Sequence, residues 1–373
     1  MKLLNNIFAF IKKEIVFCIA TILAVASCFI VRPTVAYAEY IDVRVLAILF
    51  CLMLVVAILQ KIGMFEKIMR VITKKIHSAR VLRVVLVLVC FFSSMIITND
   101  VALITFVPFT ILLLNRLERK SELIYVISLQ TIAANLGSMA TPIGNPQNVY
   151  LYSTYNMNMR EFIIVVWPYV LVSLIMLCIF AIIPKESSIP PIDVGAEGDK
   201  PAIWKCILLV LMFVVCILCV LRVVEFYIML PIVVVGTIIW DYRLLAKADF
   251  MLLATFVAFF VLVGNVKQIP QVNDLVERLI SGDLVIAGVA ISQVISNVPA
   301  AVLLSGFTQN GAALLTGVNI GGLGTLIASM ASLISYKAYA AEKNSKKAKY
   351  MLVFSGLNVV FLLVMLVLYV IIS

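Results

Sequence analysis

The side chains able to do chemistry gather in two short polar stretches, Ser94 to Ala102 and Ser292 to Ala300, each set within apolar sequence. The first carries Thr98, Asn99 and Asp100, and the second carries Ser296 and Asn297. Hydroxyls, amides and a carboxylate are hard oxygen donors, suited to Na+ or a proton rather than to a soft metal. At an offset of 198, Ser94 matches Ser292, Ile97 matches Ile295, Asn99 matches Asn297 and Ala102 matches Ala300. Polar side chains are costly inside a bilayer and mark ion or substrate paths there. One such stretch in each half points to a transporter built from a duplicated unit.

A second pair of motifs follows the first. Asn135, Gly137, Thr141, Pro142, Gly144, Asn145, Pro146 and Asn148 lie downstream of the first stretch; Asn319, Gly321, Gly322, Gly324, Thr325 and Ser329 lie downstream of the second. At an offset of 184, Asn135 matches Asn319, Gly137 matches Gly321, Thr141 matches Thr325 and Ile143 matches Ile327. Proline cannot donate to a helical ladder and glycine admits strained backbone, so both motifs should break a helix. Unwound backbone is tolerated at membrane depth only where it lines protein or a wet cavity. There its carbonyls can hold a cation and its half-helix N-termini an anion. Glycine pairs such as Gly321 and Gly322 also serve close helix packing, but the four polar side chains of Thr141 to Asn148 exceed what packing requires.

Asp100 is the one acidic residue placed deep in the membrane, and Val298 stands at the matching position. A carboxylate beside Thr98 and Asn99 suits a Na+ ligand or a proton carrier; Ser296 and Asn297 form the matching candidate Na+ site. No Lys or Arg falls mid-membrane. An anionic substrate would therefore rely on helix N-termini, amides, hydroxyls and the charge of a bound cation.

These motifs need membrane helices to position them. The 373-residue chain is 64% hydrophobic and 13% charged, with mean hydropathy +1.15. About 20 apolar residues cross a bilayer, and many segments exceed that. The longest polar stretch, near 184–201, is too short for a soluble core. The reading is an all-α polytopic membrane protein with about nine transmembrane helices, near 13–31, 42–62, 121–151, 161–184, 202–222, 226–241, 249–265, 312–337 and 350–372. Segments 80–115 and 284–308 each hold a polar stretch at mid-length. Their halves count about 12 to 18 residues and fall short of a crossing at about 1.5 Å per residue, so both read as re-entrant helical hairpins. Two helices, 121–151 and 312–337, read as broken. An apolar run after Lys12 and Lys13 followed by Ala36 and Ala38 resembles a signal peptide; its length favours a retained first helix.

Charge tests the layout. With the N-terminus cytoplasmic and the C-terminus external, 23 of the 29 Lys and Arg residues fall inside and 6 outside. That bias is the positive-inside pattern of a bacterial-type plasma membrane protein, and it explains the net charge of +10 without nucleic acid. Arg80 and Arg83 precede the first hairpin, and Arg116, Arg119 and Lys120 follow it, so it enters and leaves on the basic side. The second hairpin lies among residues poor in bases and enters from outside. Opposed hairpins imply inverted-topology repeats, 1–184 and 226–373, joined by a loop and a linking helix over 185–225. Amphipathic segments Met64–Ser78 and Lys267–Gly282 should lie flat at the two interfaces.

An enzyme is disfavoured. His77 is the only histidine, and neither a zinc His-Glu-x-x-His motif nor a Gly-x-Ser-x-Gly nucleophile motif occurs. Cys216 and Cys219 have a redox-like spacing but no partner pair, which reads as helix packing. No cofactor is expected beyond the coupling ion.

The residues Thr98–Asp100, Asn135–Asn148, Ser296–Pro299 and Gly321–Ser329 resemble the ion transporter superfamily that includes citrate/dicarboxylate carriers, arsenite permeases and NhaD-type sodium–proton antiporters. The likeness covers nearly the whole chain in its order of elements. It implies an elevator-type secondary transporter, in which a mobile domain slides against a dimeric scaffold, with a small anion or inorganic ion between the two tips. It implies a first cation site from Thr98, Asn99, Asp100 and the Gly137–Thr141 backbone, and a second from Ser296, Asn297 and the Gly321–Thr325 backbone. Dicarboxylate carriers have Ser-Asn-Thr at both tips. Here Asp100 and Val298 stand in place of the final threonines, which tilts the pattern toward arsenite efflux or Na+/H+ antiport. The second break has Leu326 and Met330 where the first has its prolines.

Overall fold

A computed structural model describes residues 10, 14–35, 37–73, 76–190, 202–280 and 282–373. The basic residues Lys2, Lys12, Lys13, Lys74, Lys75 and Lys200, and Ala36 of the signal-like run, lie outside the described residues.

The first half begins with α1 (Ile15–Ile30), α2 (Val43–Lys61) and amphipathic α3 (Met64–Thr73). Next come paired α4 (Ala79–Ile97) and α5 (Asn99–Arg116), interrupted α6 (Leu123–Ser138) and α7 (Pro146–Thr154), and α8 (Met159–Ile182). The linking helix α9 (Ile203–Val220) follows. The same order then recurs: α10 (Phe226–Asp241), α11 (Phe250–Val266), amphipathic α12 (Pro270–Ile280), paired α13 (Leu284–Ile295) and α14 (Asn297–Ser305), interrupted α15 (Gly311–Ile320) and α16 (Met330–Ala340), and α17 (Lys347–Ile372). Each segment expected to be helical carries a helix, and the protein is an all-α polytopic membrane protein with seven helices long and apolar enough to span among the described residues.

Short polar side chains set the helix starts, as orphan backbone N–H groups demand. The carboxylates of Asp42, Asp249 and Asp283 accept from the first turns of α2, α11 and α13. Asn145 does the same for α7, where Pro146 occupies the first helical position. Proline is tolerated there because its missing N–H would have had no partner.

One length argument needs correcting. The halves of the first hairpin, α4 and α5, hold 19 and 18 residues, roughly 27–28 Å at 1.5 Å per residue and enough to cross. The apolar run extends to the very tip, because Ser94 and Ile97 belong to α4 and Asn99 opens α5. The shortness argument holds for the second pair, whose 12 and 9 residues reach only about 18 and 14 Å.

The halves interlock by exchange. Helix α1 packs on α11, and α2 packs on α10. Helix α5 packs on α16, as α14 does on α7; α6 packs on α17, as α8 does on α15. A two-fold relation between two like units gives such swapped pairs. The hairpins and interrupted helices thereby meet at the centre, flanked by α1, α2, α10 and α11.

A candidate ion and substrate site where two tips meet two breaks

Each tip turns on one residue. Thr98 (φ 72°, ψ 149°) separates α4 from α5, and Ser296 (φ 75°, ψ 154°) separates α13 from α14. That region of backbone space is nearly reserved for glycine and costs of order 1–3 kcal/mol per residue, a strain that clusters at functional sites. The turn aims the next backbone N–H at the neighbouring break. Asn99 N donates to Gly144 O at 3.1 Å, and Asn297 N donates to Ala328 O at 3.0 Å. Hydroxyls pin the other side: Thr141 Oγ1 donates to Met95 O, and Thr325 Oγ1 donates to Gln293 O at 3.3 Å.

Beneath each tip, a serine and a glycine let helices touch. A Cβ on Gly137 would stand 2.2 Å from Phe91 O and 2.7 Å from Ser94 Oγ; one on Gly321 would stand 2.7 Å from Ser292 Oγ. Ser94 and Ser292 donate back into their own helices, to Phe91 O and Gly288 O. The structure thus gives Ser94, Ser292, Gly137 and Gly321 packing contacts that hold tip against break.

The amides come together across the halves. Asn135 Oδ1 accepts from Asn99 Nδ2 at 3.1 Å and from Ser329 Oγ at 2.9 Å, while Asn135 Nδ2 donates to Gly322 O at 3.2 Å. The counterpart hub is Asn319. Its Oδ1 accepts from Asn145 Nδ2 at 3.2 Å, and its Nδ2 donates to Asn148 Oδ1 at 2.8 Å. Asn145 and Ser329 occupy matching positions in their halves and each reaches the opposite hub. Asn148 Nδ2 lies 3.0 Å from Thr141 O and 3.3 Å from Ser138 O, closing the first break from within. All of these amides are buried, where unpaired polar groups would be costly.

Beside this network is a cavity of about 620 Å³. Thr98, Asp100, Val101 and Ile104 line one side; Met53, Val56, Ala57 and Gln60 of α2 line another; Ile143, Asn145, Pro146 and Val149 form its inner wall. Glu14, Lys247 and Asp249 complete it. Asp100 is half-buried, and its Oδ1 is fully buried without a hydrogen-bond partner. An orphaned carboxylate oxygen is what a cation ligand or proton carrier would leave. Thr98 lines the same cavity, whereas the Asn99 amide is committed to Asn135 and to Asp100 N. In the second half Val298 is buried, Asn297 Oδ1 accepts from Val298 N, and Ser296 Oγ makes only long contacts of 3.4 and 3.5 Å.

Gln293, Asp249 and Gln60 are among the residues of this region that escape sequence reading. Gln293 inserts its amide into the second break. Asp249 and Gln60 reach the cavity from helix ends. Gln293 carried a signal, a long amide where the other half has Met95, whereas Asp249 and Gln60 look like ordinary helix-end residues.

Known proteins share this chain's sequence along most of its length. An uncharacterized transporter of Methanocaldococcus jannaschii is 34% identical over 323 residues, covering 86% of this chain and 87% of the relative. The inner membrane protein YbiR of Escherichia coli is 30% identical over 318 residues, 83% of this chain and 84% of its own. A silicon efflux transporter of Oryza sativa is 30% identical over 173 residues, 45% of this chain and 35% of the relative. The family model described as citrate transporter matches residues 7–315. With its interrupted helices, buried amide hubs and apolar spans, the chain belongs to the citrate transporter family of membrane transporters.

Proposed function

We propose that this transporter carries a small anion or oxyanion, a carboxylate or an inorganic ion, across the membrane together with Na+ or H+. The single observation that supports this reading most is the buried, reciprocal amide network beside a cavity that presents Asp100. The cation would sit at Asp100 and Thr98. The substrate would use the Gln60 amide at the cavity wall, the charge of the bound cation and the N-terminus of α7, whose positive end suits an anion. The name of the family and of the silicon efflux relative agree with an anion or an oxygen-rich inorganic substrate.

In this reading the repeats are inverted, both helix pairs are re-entrant (the first on the strength of its tip bonding to the break, not of its length), and the N-terminus is cytoplasmic. The ends of α2 and the starts of α1 and α11 then lie inside, so the cavity faces the cytoplasm. Transport would shift the hairpins and interrupted helices against α1, α2, α10 and α11, in a homodimer held by that outer set. The units would be 1–184 and 226–373, joined over 185–225.

A second reading is exchange of cations or protons, or arsenite-type efflux, with Asp100 as the exchanging carboxylate. The cavity favours it in one respect: Glu14, Asp100 and Asp249 line it against the single base Lys247. Proteoliposomes separate the two. Uptake of a labelled carboxylate or oxyanion should follow an imposed Na+ or proton gradient and fall at least tenfold in Asp100→Asn. Na+ counterflow against a pH gradient with no anion present would sink the first reading and establish the second.

A further inference from the structure

We propose that the side chain of Gln293 takes the place of a cation at the second helix break, confining ion binding to the first half. The break between α15 and α16 turns backbone carbonyls out of the helical ladder. At membrane depth, each then needs a donor or a positive ion. Gln293 supplies the donor from the hairpin side. Its Nε2 donates to Gly321 O and Leu323 O, both at 2.9 Å, with Val289 O at 3.2 Å. Its Oε1 accepts from Thr325 N at 3.0 Å. One nitrogen with three carbonyl oxygens around it reproduces the surroundings of a small cation, while its two N–H groups carry the positive partial charge. The backbone is shaped to this amide: Gly324 has φ +107°, and a Cβ there would stand 2.3 Å from Gln293 Oε1.

The first half fills its break from the other side, where Asn148 Nδ2 meets Thr141 O at 3.0 Å and Ser138 O at 3.3 Å. The position matching Gln293 is Met95, whose thioether has no N–H to give. Gly137 and Met139 match Gly321 and Leu323. Gly137 O accepts from Ala140 N at 3.0 Å, and Met139 O has only Asn148 Nδ2 at 3.4 Å. Asn148 works from α7, behind the break; its own match, Ser332, has a buried hydroxyl with no partner. Each half therefore quenches its break with one amide, from the hairpin in the second half and from α7 in the first. The first half alone adds a carboxylate with an unpartnered oxygen, Asp100. The inference rests on the reading of Asp100 as the ion-carrying group, and it sets the coupling at a single cation per chain.

Equilibrium binding of radiolabelled Na+ to the purified full-length protein tests it without measuring flux. The wild type should bind at most one Na+ per chain, and Asp100→Asn should bind none. The double variant Asp100→Asn with Gln293→Glu should regain Na+ binding that weakens as pH falls. A carboxylate among those carbonyls must take up a cation or a proton. Two Na+ per wild-type chain overturns the proposal, as does Na+ retained by Asp100→Asn. A monodisperse double variant that binds no Na+ overturns it as well. If Gln293→Glu does not fold, the counts on wild type and Asp100→Asn decide alone. Failure of the transport reading itself would appear separately, as absence of any gradient-driven flux in wild-type proteoliposomes.

Discussion

Asn135 shows how much one side chain can hold. It joins the first tip through Asn99, the second interrupted helix through Ser329, and the second break through Gly322 O. Asn135→Ala would orphan three buried polar groups, at about 1–3 kcal/mol for each group left unpaired. We expect a drop in thermal midpoint, and loss of transport even where the protein remains folded; circular dichroism melts and flux from the same preparation check both. Thr98 makes a different prediction. Its positive φ is strained for any residue with a Cβ. Thr98→Gly should therefore be more stable than Thr98→Ala by about 1 kcal/mol, read as the order of their melting midpoints, while both lose the hydroxyl beside Asp100. Equal midpoints would mean that the tip is not under backbone strain.

At the scale of elements, a strap ties the end of α8 to the base of the first hairpin. Fully buried Arg83 of α4 donates to Ala181 O at 3.1 Å, Pro184 O at 2.7 Å and Lys185 O at 3.3 Å, and pairs with Glu122 at 3.1 Å. Arg119 holds Glu122 from the other side and donates to Ser187 Oγ at 2.6 Å. Ala79 N and His77 O bond to Ser187 O and Ile189 N, so the loop lies along the hairpin base. Removing Arg83 leaves Glu122 to Arg119 alone and deprives the carbonyls of Ala181, Pro184 and Lys185 of their donor, at about 1–3 kcal/mol for each buried group left unpaired. We expect Arg83→Ala to lower the thermal midpoint and expose residues 184–190 to limited proteolysis, with Arg83→Lys rescuing little because it cannot fork. Glu186 adds a pH-dependent stitch. The Ser78 hydroxyl, donating at 2.8 Å, and the nearby Arg80 hold its carboxyl below its usual value. A depressed pKa stabilises above the unfolded value of about 4.3 and loses that contribution as pH falls through the lower folded value. The group is exposed, so the effect should be small and fade with salt. Protease sensitivity of the strap should rise below about pH 4 in wild type and be higher, and less pH-dependent, in Glu186→Gln.

For the whole molecule, the swapped packing of α1 on α11 and α2 on α10 places an outer set around a polar centre. The cavity lies between the two, with Met53, Val56 and Ala57 of α2 facing Thr98, Asp100 and Ile104. On the second hairpin, α14 packs directly on α11. A bulky side chain in the cavity should block movement without disturbing the network behind it. Met53→Trp is expected to retain the wild-type melting midpoint within about 2 °C, since partly buried Met53 borders open space, while transport falls at least tenfold. Normal flux in that variant would remove the cavity from the path.

Much of this was legible in the residues. A period-free apolar composition requires membrane helices, and proline and glycine at 137–146 require a break, since both act through the local backbone. Matching offsets exposed the duplication, because a repeated unit repeats its special residues. Ser94 and Gly137 were readable as a pair of motifs but not as a packing contact, because contact depends on how α4 lies against α6. The apolar pattern alone understates the span of α4 and α5, because the helices run into the polar tip instead of ending before it. Sequence by itself thus determined the class of protein, the two tips and the two breaks. Only the tertiary structure decided that Asn135 and Asn319 each serve the opposite half, that Gln293 fills the second break, and that Asp100 is left with an unpartnered oxygen at a cavity. Hydrogen bonds between groups 150 or more residues apart, such as Asn145 to Asn319, depend on how helices cross, and no local pattern encodes that.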